Sequence, residues 1–217
     1  MDVLELMRLR HSVRSYKDVS VDSDTRAVIY EYVATLNKEY GTNVQAFFDD
    51  PDCFANASSQ YGVFSGCKNY AVLVGKDAKT CGYVGELIAL KLQSMGLNTC
   101  FVALTYKRGA VKSKVKLNGK EKIQCNLAFG YGVTGGSPRR SKTPAQVSVV
   151  EGEKPALFDK VVEACLLAPT AINQQKFAVV AKDGQIFIKK RGIGFYTDVD
   201  LGIVEAHKDL ILDNVTL

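Results

Sequence analysis

Asp183-Gly184 sits between two apolar runs, Phe177-Ala-Val-Val-Ala-Lys182 and Gln185-Ile-Phe-Ile-Lys189. A two-residue Asp-Gly link accepts positive φ at both positions and matches the natural twist of paired strands. It predicts an antiparallel hairpin. A chain carrying such a hairpin among helices does not suit a doubly wound parallel sheet. It suits an α+β fold with an antiparallel or mixed sheet flanked by helices.

The rest of the chain agrees with that class. Residues 2–9 are expected to form a short helix, with Asp2 as its cap and Glu5 as the reciprocal partner. Residues 22–40 repeat Val28, Ile29, Tyr32, Val33 and Leu36 at helical spacing, and Gly41 ends the run. Residues 49–66 are polar and contain Pro51, Gly62 and Gly66, so they are expected to be loop. Tyr70-Ala-Val-Leu-Val-Gly75 is an apolar run typical of a buried strand. A helix is expected over residues 80–95, then strands over 98–104 and 123–131. Helices are also expected over residues 155–167 and 198–207, before a short apolar tail. The Gly/Ser/Pro-rich residues 130–144 are the best candidate for a boundary, dividing the chain at about residue 146.

Composition narrows the function classes. The chain has 217 residues, 47% of them hydrophobic, and a net charge of +5. That is ordinary for a globular protein and only mildly basic. No apolar run approaches the roughly 20 residues of a membrane span, and the acidic start lacks the basic region of a secretory signal. Six scattered cysteines form no Cys-x-x-Cys pair, and there are only two histidines. No metal site is expected, and reduced thiols fit a cytoplasmic location. Residues 107–122 carry Lys107, Arg108, Lys112, Lys114, Lys116, Lys120 and Lys122 without interleaved aromatics. A nucleic-acid platform would want aromatics for stacking, so a solvated face is the preferred reading.

Two segments carry chemistry. Arg10-His11-Ser12-Val13-Arg14 places two guanidiniums, a hydroxyl and an imidazole within five residues. In an extended backbone Arg10, Ser12 and Arg14 would share one face, a receptor for phosphate oxygens. Clusters of this kind are also common as solvated surface. Ala168-Pro169-Thr170-Ala171-Ile172-Asn173-Gln174-Gln175-Lys176-Phe177 leads from a helix into a strand. Its small residues permit close approach, and its amides offer donors and acceptors.

Together these segments resemble those of the nitroreductase family of flavin enzymes. Gly85-Glu86 with Gly96-Leu97-Asn98-Thr99, Phe129-Gly130-Tyr131-Gly132 and Asp200-Leu-Gly-Ile are similar to further family stretches. The order differs from the common one, because the Asn/Gln segment lies in the last third of the chain. This arrangement resembles a nitroreductase subfamily whose elements are distributed over two halves of one chain. The resemblance implies an internal pseudo-dimer. Residues 1–146 would cradle the FMN phosphate and ribityl chain, and residues 147–217 would supply the segment that a second subunit otherwise provides. A homodimer is the alternative assembly.

The resemblance also assigns roles. Arg10 and Ser12 would bind the phosphate and ribityl chain, with His11 contributing through its backbone or ring. Arg14 would lie near the pyrimidine edge, where a cation favours the reduced flavin anion. Arg139, Arg140 and Lys142 would form the other side of the phosphate clamp. Pro169, Thr170, Ala171 and Asn173 would contact the ring, and Ala103 and Leu104 would pass beside N5. Gln175-Lys176-Phe177 departs from the family's Gln-Pro-Trp, and Thr170 replaces the usual serine.

Implied activity is the passage of hydride from NADH or NADPH, through FMN, to a nitroaromatic, quinone or similar small acceptor. No acid–base side chain is needed, and neither nucleic acid nor membrane is an expected partner. Competing readings are a dehalogenase or flavin-fragmenting relative, a flavin-binding protein without turnover, and a basic nucleic-acid-binding module on residues 107–122.

Overall fold

The computed structural model of the chain describes residues 2–55, 57–59 and 62–213. Helix α1 (Val3–Leu9) opens it. Asp2 makes no side-chain cap, and Glu5 instead pairs with Arg8 one turn on at 3.2 Å. Helix α2 (Ser23–Tyr40) is capped by Asp22, which accepts from the Thr25 N–H at 2.8 Å, and it ends at left-handed Gly41. Strand β1 (Gln45–Phe47) and the two-residue strands β2 (Ser58–Ser59) and β3 (Gly62–Val63) follow. Then come β4 (Asn69–Gly75), α3 (Ala78–Ser94), β5 (Asn98–Val102), the single turn α4 (Arg108–Lys112) and β6 (Lys122–Gly130).

After the expected loop come α5 (Pro144–Val147), β7 (Ser148–Glu151) and α6 (Phe158–Leu167). Strands β8 (Phe177–Lys182) and β9 (Gln185–Lys190) form the hairpin, with φ of 51° at Asp183 and 73° at Gly184. Helix α7 (Thr197–Leu212) closes the described chain and runs five residues past His207. Residues 214–217, the end of the expected tail, lie outside the described residues. β1 and β7 escape a sequence reading because strands of three or four residues show no usable alternation.

The larger sheet is antiparallel with order β1-β4-β6-β5. β4 is buried along its whole length, so both faces must be covered. Ala71 and Leu73 face one core, and Tyr70, Val72 and Val74 face another. The first core lies under the helices. It draws Met7, Leu36, Ile88, Val161, Val179 and Val204 into one cluster, so residues on both sides of position 146 share it. The second gathers Cys53, Phe54, Phe64 and Cys67 with Val111 of α4. The smaller sheet, β7-β8-β9, is mixed: β7 runs parallel to β8, and β8 antiparallel to β9.

Helices α3 and α7 join the two sheets. A Cβ on Gly202 would stand 1.8 Å from the Lys79 carbonyl oxygen, and one on Gly82 would stand 2.0 Å from that of Val199. Only glycine lets the two backbones approach so closely. All six cysteines are buried free thiols. No helix among the described residues is long and apolar enough to cross a membrane.

Candidate functional site

Residues 10–16 leave α1 in extended form and are stitched to the large sheet. The Val13 N–H donates to Thr99 O at 3.0 Å, and Ser12 bridges Thr99 in parallel. Tyr16 fixes the far end, its hydroxyl donating to Val13 O at 2.7 Å. The connector therefore hangs on β5, and its side chains point to defined places. Arg14 is exposed and lines a cavity of about 230 Å³. Arg10 is 0% exposed and lies elsewhere, beside α3.

Arg10 is an unusual buried group. Its Nε stands 3.8 Å from Glu86 Oε1, which is too long for a hydrogen bond. None of its three guanidinium nitrogens has a hydrogen-bond partner among the described residues. Glu86, also fully buried, is held by His207: Nε2 lies 2.8 Å from Glu86 Oε1. The other ring nitrogen, Nδ1, donates to the Ala164 carbonyl at 2.7 Å. One carboxylate thus faces Arg10 from α3, steadied from α7 and α6.

A second arginine stands in the same field. Arg139 is half-buried, and its pKa falls to about 10, chiefly through burial and then through repulsion by Arg10, while Glu86 opposes the fall. His11 is lowered by burial, then by Arg10 and by Arg139. The loop bearing Arg139 lies against the connector: a Cβ on Gly136 would meet the His11 Cβ at 2.7 Å. Two buried or half-buried guanidiniums share one carboxylate, and burial of unpaired charge is costly. An anion with several acceptor oxygens is what this cluster lacks.

The other two basic candidates are placed differently. Lys142 Nζ donates to Gln175 O at 2.7 Å, and its backbone N–H donates to Gln175 Oε1 at 2.8 Å. Arg140 is exposed, and its carbonyl accepts from Asn173 Nδ2. Of the three, it is Arg139 whose surroundings include Arg10 and Glu86.

The cavity is built from both ends of the chain. Arg14, Ala103 and Leu104 line it from one side, and Pro169, Thr170 and Ala171 from the other. Asn173 does not line it. Three non-glycine residues in this turn have positive φ: Ile172 at 47°, Asn173 at 55° and Gln175 at 45°. Such backbone costs about 1–3 kcal/mol per residue and persists only where surroundings enforce it. Here they do. Asp200 accepts from the Ala171 N–H at 2.9 Å and from Gln174 Nε2 at 2.7 Å. The Thr170 hydroxyl accepts from the Gln175 N–H at 3.1 Å, and buried Gln175 donates to Leu166 O at 3.2 Å.

Asp200 lines the cavity and is buried, which pushes its pKa up to about 6 against the opposing hydrogen bonds from Gln174 and Ala171. Phe195 and Tyr196 complete the wall. These three, with Glu86, were absent from the expected site. Asp200 and His207 look like ordinary helix residues in sequence, and only the α3–α7 crossing gives them partners.

A family profile described as "Putative TM nitroreductase" matches residues 2–211. No curated protein matches the chain significantly. The structure of a "putative nitroreductase" from Thermotoga maritima is 21% identical, with a TM-score of 0.66 over 99% of this chain and 85% of that one. A "putative nitroreductase in complex with FMN" from Desulfovibrio desulfuricans is 19% identical, with a TM-score of 0.53 over 70% of this chain and 96% of that one. A "putative NADH dehydrogenase/NAD(P)H nitroreductase" from Bacteroides thetaiotaomicron is 19% identical, with a TM-score of 0.53 over 67% of this chain and 95% of that one. At these identities the likeness is one of fold, and the fold is that of the nitroreductases.

Proposed function

The chain belongs to the nitroreductase family whose profile spans residues 2–211, and from that premise we propose that it is an FMN-dependent oxidoreductase. NADH or NADPH would be its electron donor, and a nitroaromatic, quinone or similar small molecule its acceptor. The observation that carries this reading is Arg10: a buried guanidinium with three unpartnered nitrogens, beside a second arginine, fits a phosphate. Similarity to a structure described as an FMN complex supports the same choice.

Bound FMN supplies the redox chemistry by which a nicotinamide donor and an acceptor exchange electrons at one slot in turn. The protein's own residues bind and orient. Arg10 and Arg139 would hold the phosphate, with Ser12 and His11 beside the ribityl chain. Arg14 would stand at the pyrimidine edge. Ala103 and Leu104 would flank the reactive edge of the ring. Pro169, Thr170 and Ala171 would cover it from the other side, kept in place by Asp200. Arg140, Lys142 and Asn173 would fasten the basic loop to that turn.

In this reading residues 1–146 and 147–217 act as two halves of an internal pseudo-dimer, and one chain completes one site. The α3–α7 contact would then replace a subunit interface.

A visible spectrum tests the proposal. Purified protein reconstituted with FMN should show flavin bands that NADH or NADPH bleaches and an added quinone restores. Protein that takes up no FMN would overturn it, and flavin that binds but resists both donors would leave a binder without turnover. Size-exclusion chromatography of the holoprotein addresses the halves. Flavin lost on dilution, together with dissociation of a dimer, would contradict a self-contained site.

A further inference from the structure

Beside the flavin-type cavity lies a second and larger cleft, of about 600 Å³. The two share a wall formed by Ala103 and Tyr196. Tyr196 holds that wall, its hydroxyl donating to Ala103 O at 3.4 Å. The second cleft is built largely from residues 106–124, the most basic part of the sequence.

Arg108, Lys112 and Lys122 line it, and none has an ion-pair partner among the described residues. Neighbouring Lys114 offers a contrast, since its ammonium is taken by Asp50 at 2.7 Å and faces Asp52 at 3.5 Å. One carboxylate, Glu121, stands among the three cations. It is already bound by Asn43 Nδ2 and by the Asn118 N–H, both at 2.8 Å. The floor is apolar: Leu117 is half exposed, and Tyr106 and Ile123 are partly buried. A concave surface with unpaired cations and an apolar, aromatic floor suits a ligand that is both polyanionic and flat.

We propose that this cleft binds the adenosine pyrophosphate half of the nicotinamide dinucleotide donor, while the nicotinamide enters the adjoining cavity. The inference rests on the flavin oxidoreductase reading above and adds a site to it. Arg108, Lys112 and Lys122 take the phosphates, and Tyr106 with Leu117 receives the adenine. NADPH brings three phosphates to these three cations where NADH brings two, so NADPH is the preferred donor. The cations are exposed, so binding weakens with added salt. Nucleic acid is the less suitable occupant, because a single aromatic ring, Tyr106, is no stacking platform for successive bases.

The test uses the FMN holoprotein and the double variant Lys112→Ala/Lys122→Ala, with Lys112→Glu as a second variant. ADP-ribose and 2′-phospho-ADP-ribose, which lack the nicotinamide, are titrated calorimetrically. Both should bind the parent protein, the 2′-phosphate form more tightly, and both should lose at least tenfold in affinity in the variants at equal FMN content. In steady-state assays kcat/KM for NADPH should fall at least tenfold. With the uncharged donor N-benzyl-1,4-dihydronicotinamide it should not change.

Absence of ADP-ribose binding, equal loss with charged and uncharged donors, or no loss with either would overturn the proposal. So would tight capture of an oligonucleotide that ADP-ribose does not displace. ADP-ribose binding that the variants abolish, in a protein whose flavin no donor reduces, would support the cleft and overturn the oxidoreductase reading instead. Rapid reduction by all donors with unaltered variants would do the reverse.

Discussion

Around Arg10, three buried guanidinium nitrogens have no acceptor among the described residues. At residues 169–175, by contrast, the protein supplies its own partners: Asp200 for Ala171 and Gln174, Thr170 for Gln175, Gln175 for Leu166 and Lys142. The first region is charged and incomplete, whereas the second is strained but fastened. Under the proposed function, the difference is what two tasks would require. A phosphate brings its own acceptor oxygens, so its receptor is left with free donors. A planar ring offers little to hold a turn in shape, so the turn must be held from behind by its own scaffold.

Removing the fastening on the second side should do the most damage. Gln175→Leu leaves the Lys142 N–H without its side-chain acceptor and leaves Leu166 O with only the weak 3.4 Å bond from the Ser141 hydroxyl. At about 1–3 kcal/mol for each group, the loss should approach about 4 kcal/mol. Urea unfolding of the apoprotein measures it, and a loss below 1 kcal/mol would mean the loop is not anchored there.

Next in size is the pH dependence carried by Asp200. Its folded pKa, about 6, lies above the ordinary value of 3.8. A carboxyl raised on folding binds its proton more tightly in the folded state, so stability falls as pH rises from about 4 to about 6. The fall should be on the order of 2–3 kcal/mol. Asp200→Asn should therefore gain on the parent protein by that amount between pH 4 and pH 7. A difference that does not move with pH would contradict the burial argument.

Arg14 gives a smaller effect. If it stands at the pyrimidine edge, Arg14→Gln should lower the flavin midpoint potential by on the order of 30 mV, about 1.4 kcal/mol for two electrons. Spectroelectrochemistry would read it, and an unchanged potential would move Arg14 away from the ring. Smallest is Ile172, which is 63% exposed at a φ of 47°. Ile172→Gly relieves a strained β-branched residue at the cost of unfolded-chain entropy, so stability should change by less than about 1 kcal/mol. A larger loss would show that the side chain braces the turn.

Much of this comparison was legible in the sequence. The Asp183-Gly184 hairpin, the Asp22-capped helix and the buried run of β4 are set by local propensity, and they stand where local chemistry puts them. The arginine connector and the 168–177 segment were recognisable because together they resemble segments of the nitroreductase family. The partners behind them were not. Glu86 sits 121 residues from His207, and Asp200 lies 29 residues from Ala171. Nothing local distinguishes these from solvated helix residues. They acquire meaning only where Gly82 and Gly202 let α3 and α7 touch. The same holds for Arg108, Lys112 and Lys122, which look like a solvated run until the fold makes them line one cleft.

The central claim is that Arg10 is a buried charge awaiting a phosphate. Fluorescence titration with FMN and with riboflavin, which lacks the phosphate, tests it in the parent protein and in Arg10→Ala. Arg10→Ala should weaken FMN binding by about 1.5–3 kcal/mol, the range for charge-assisted hydrogen bonds, and leave riboflavin unchanged. Equal losses for the two flavins, or FMN affinity that survives the substitution, would contradict the account.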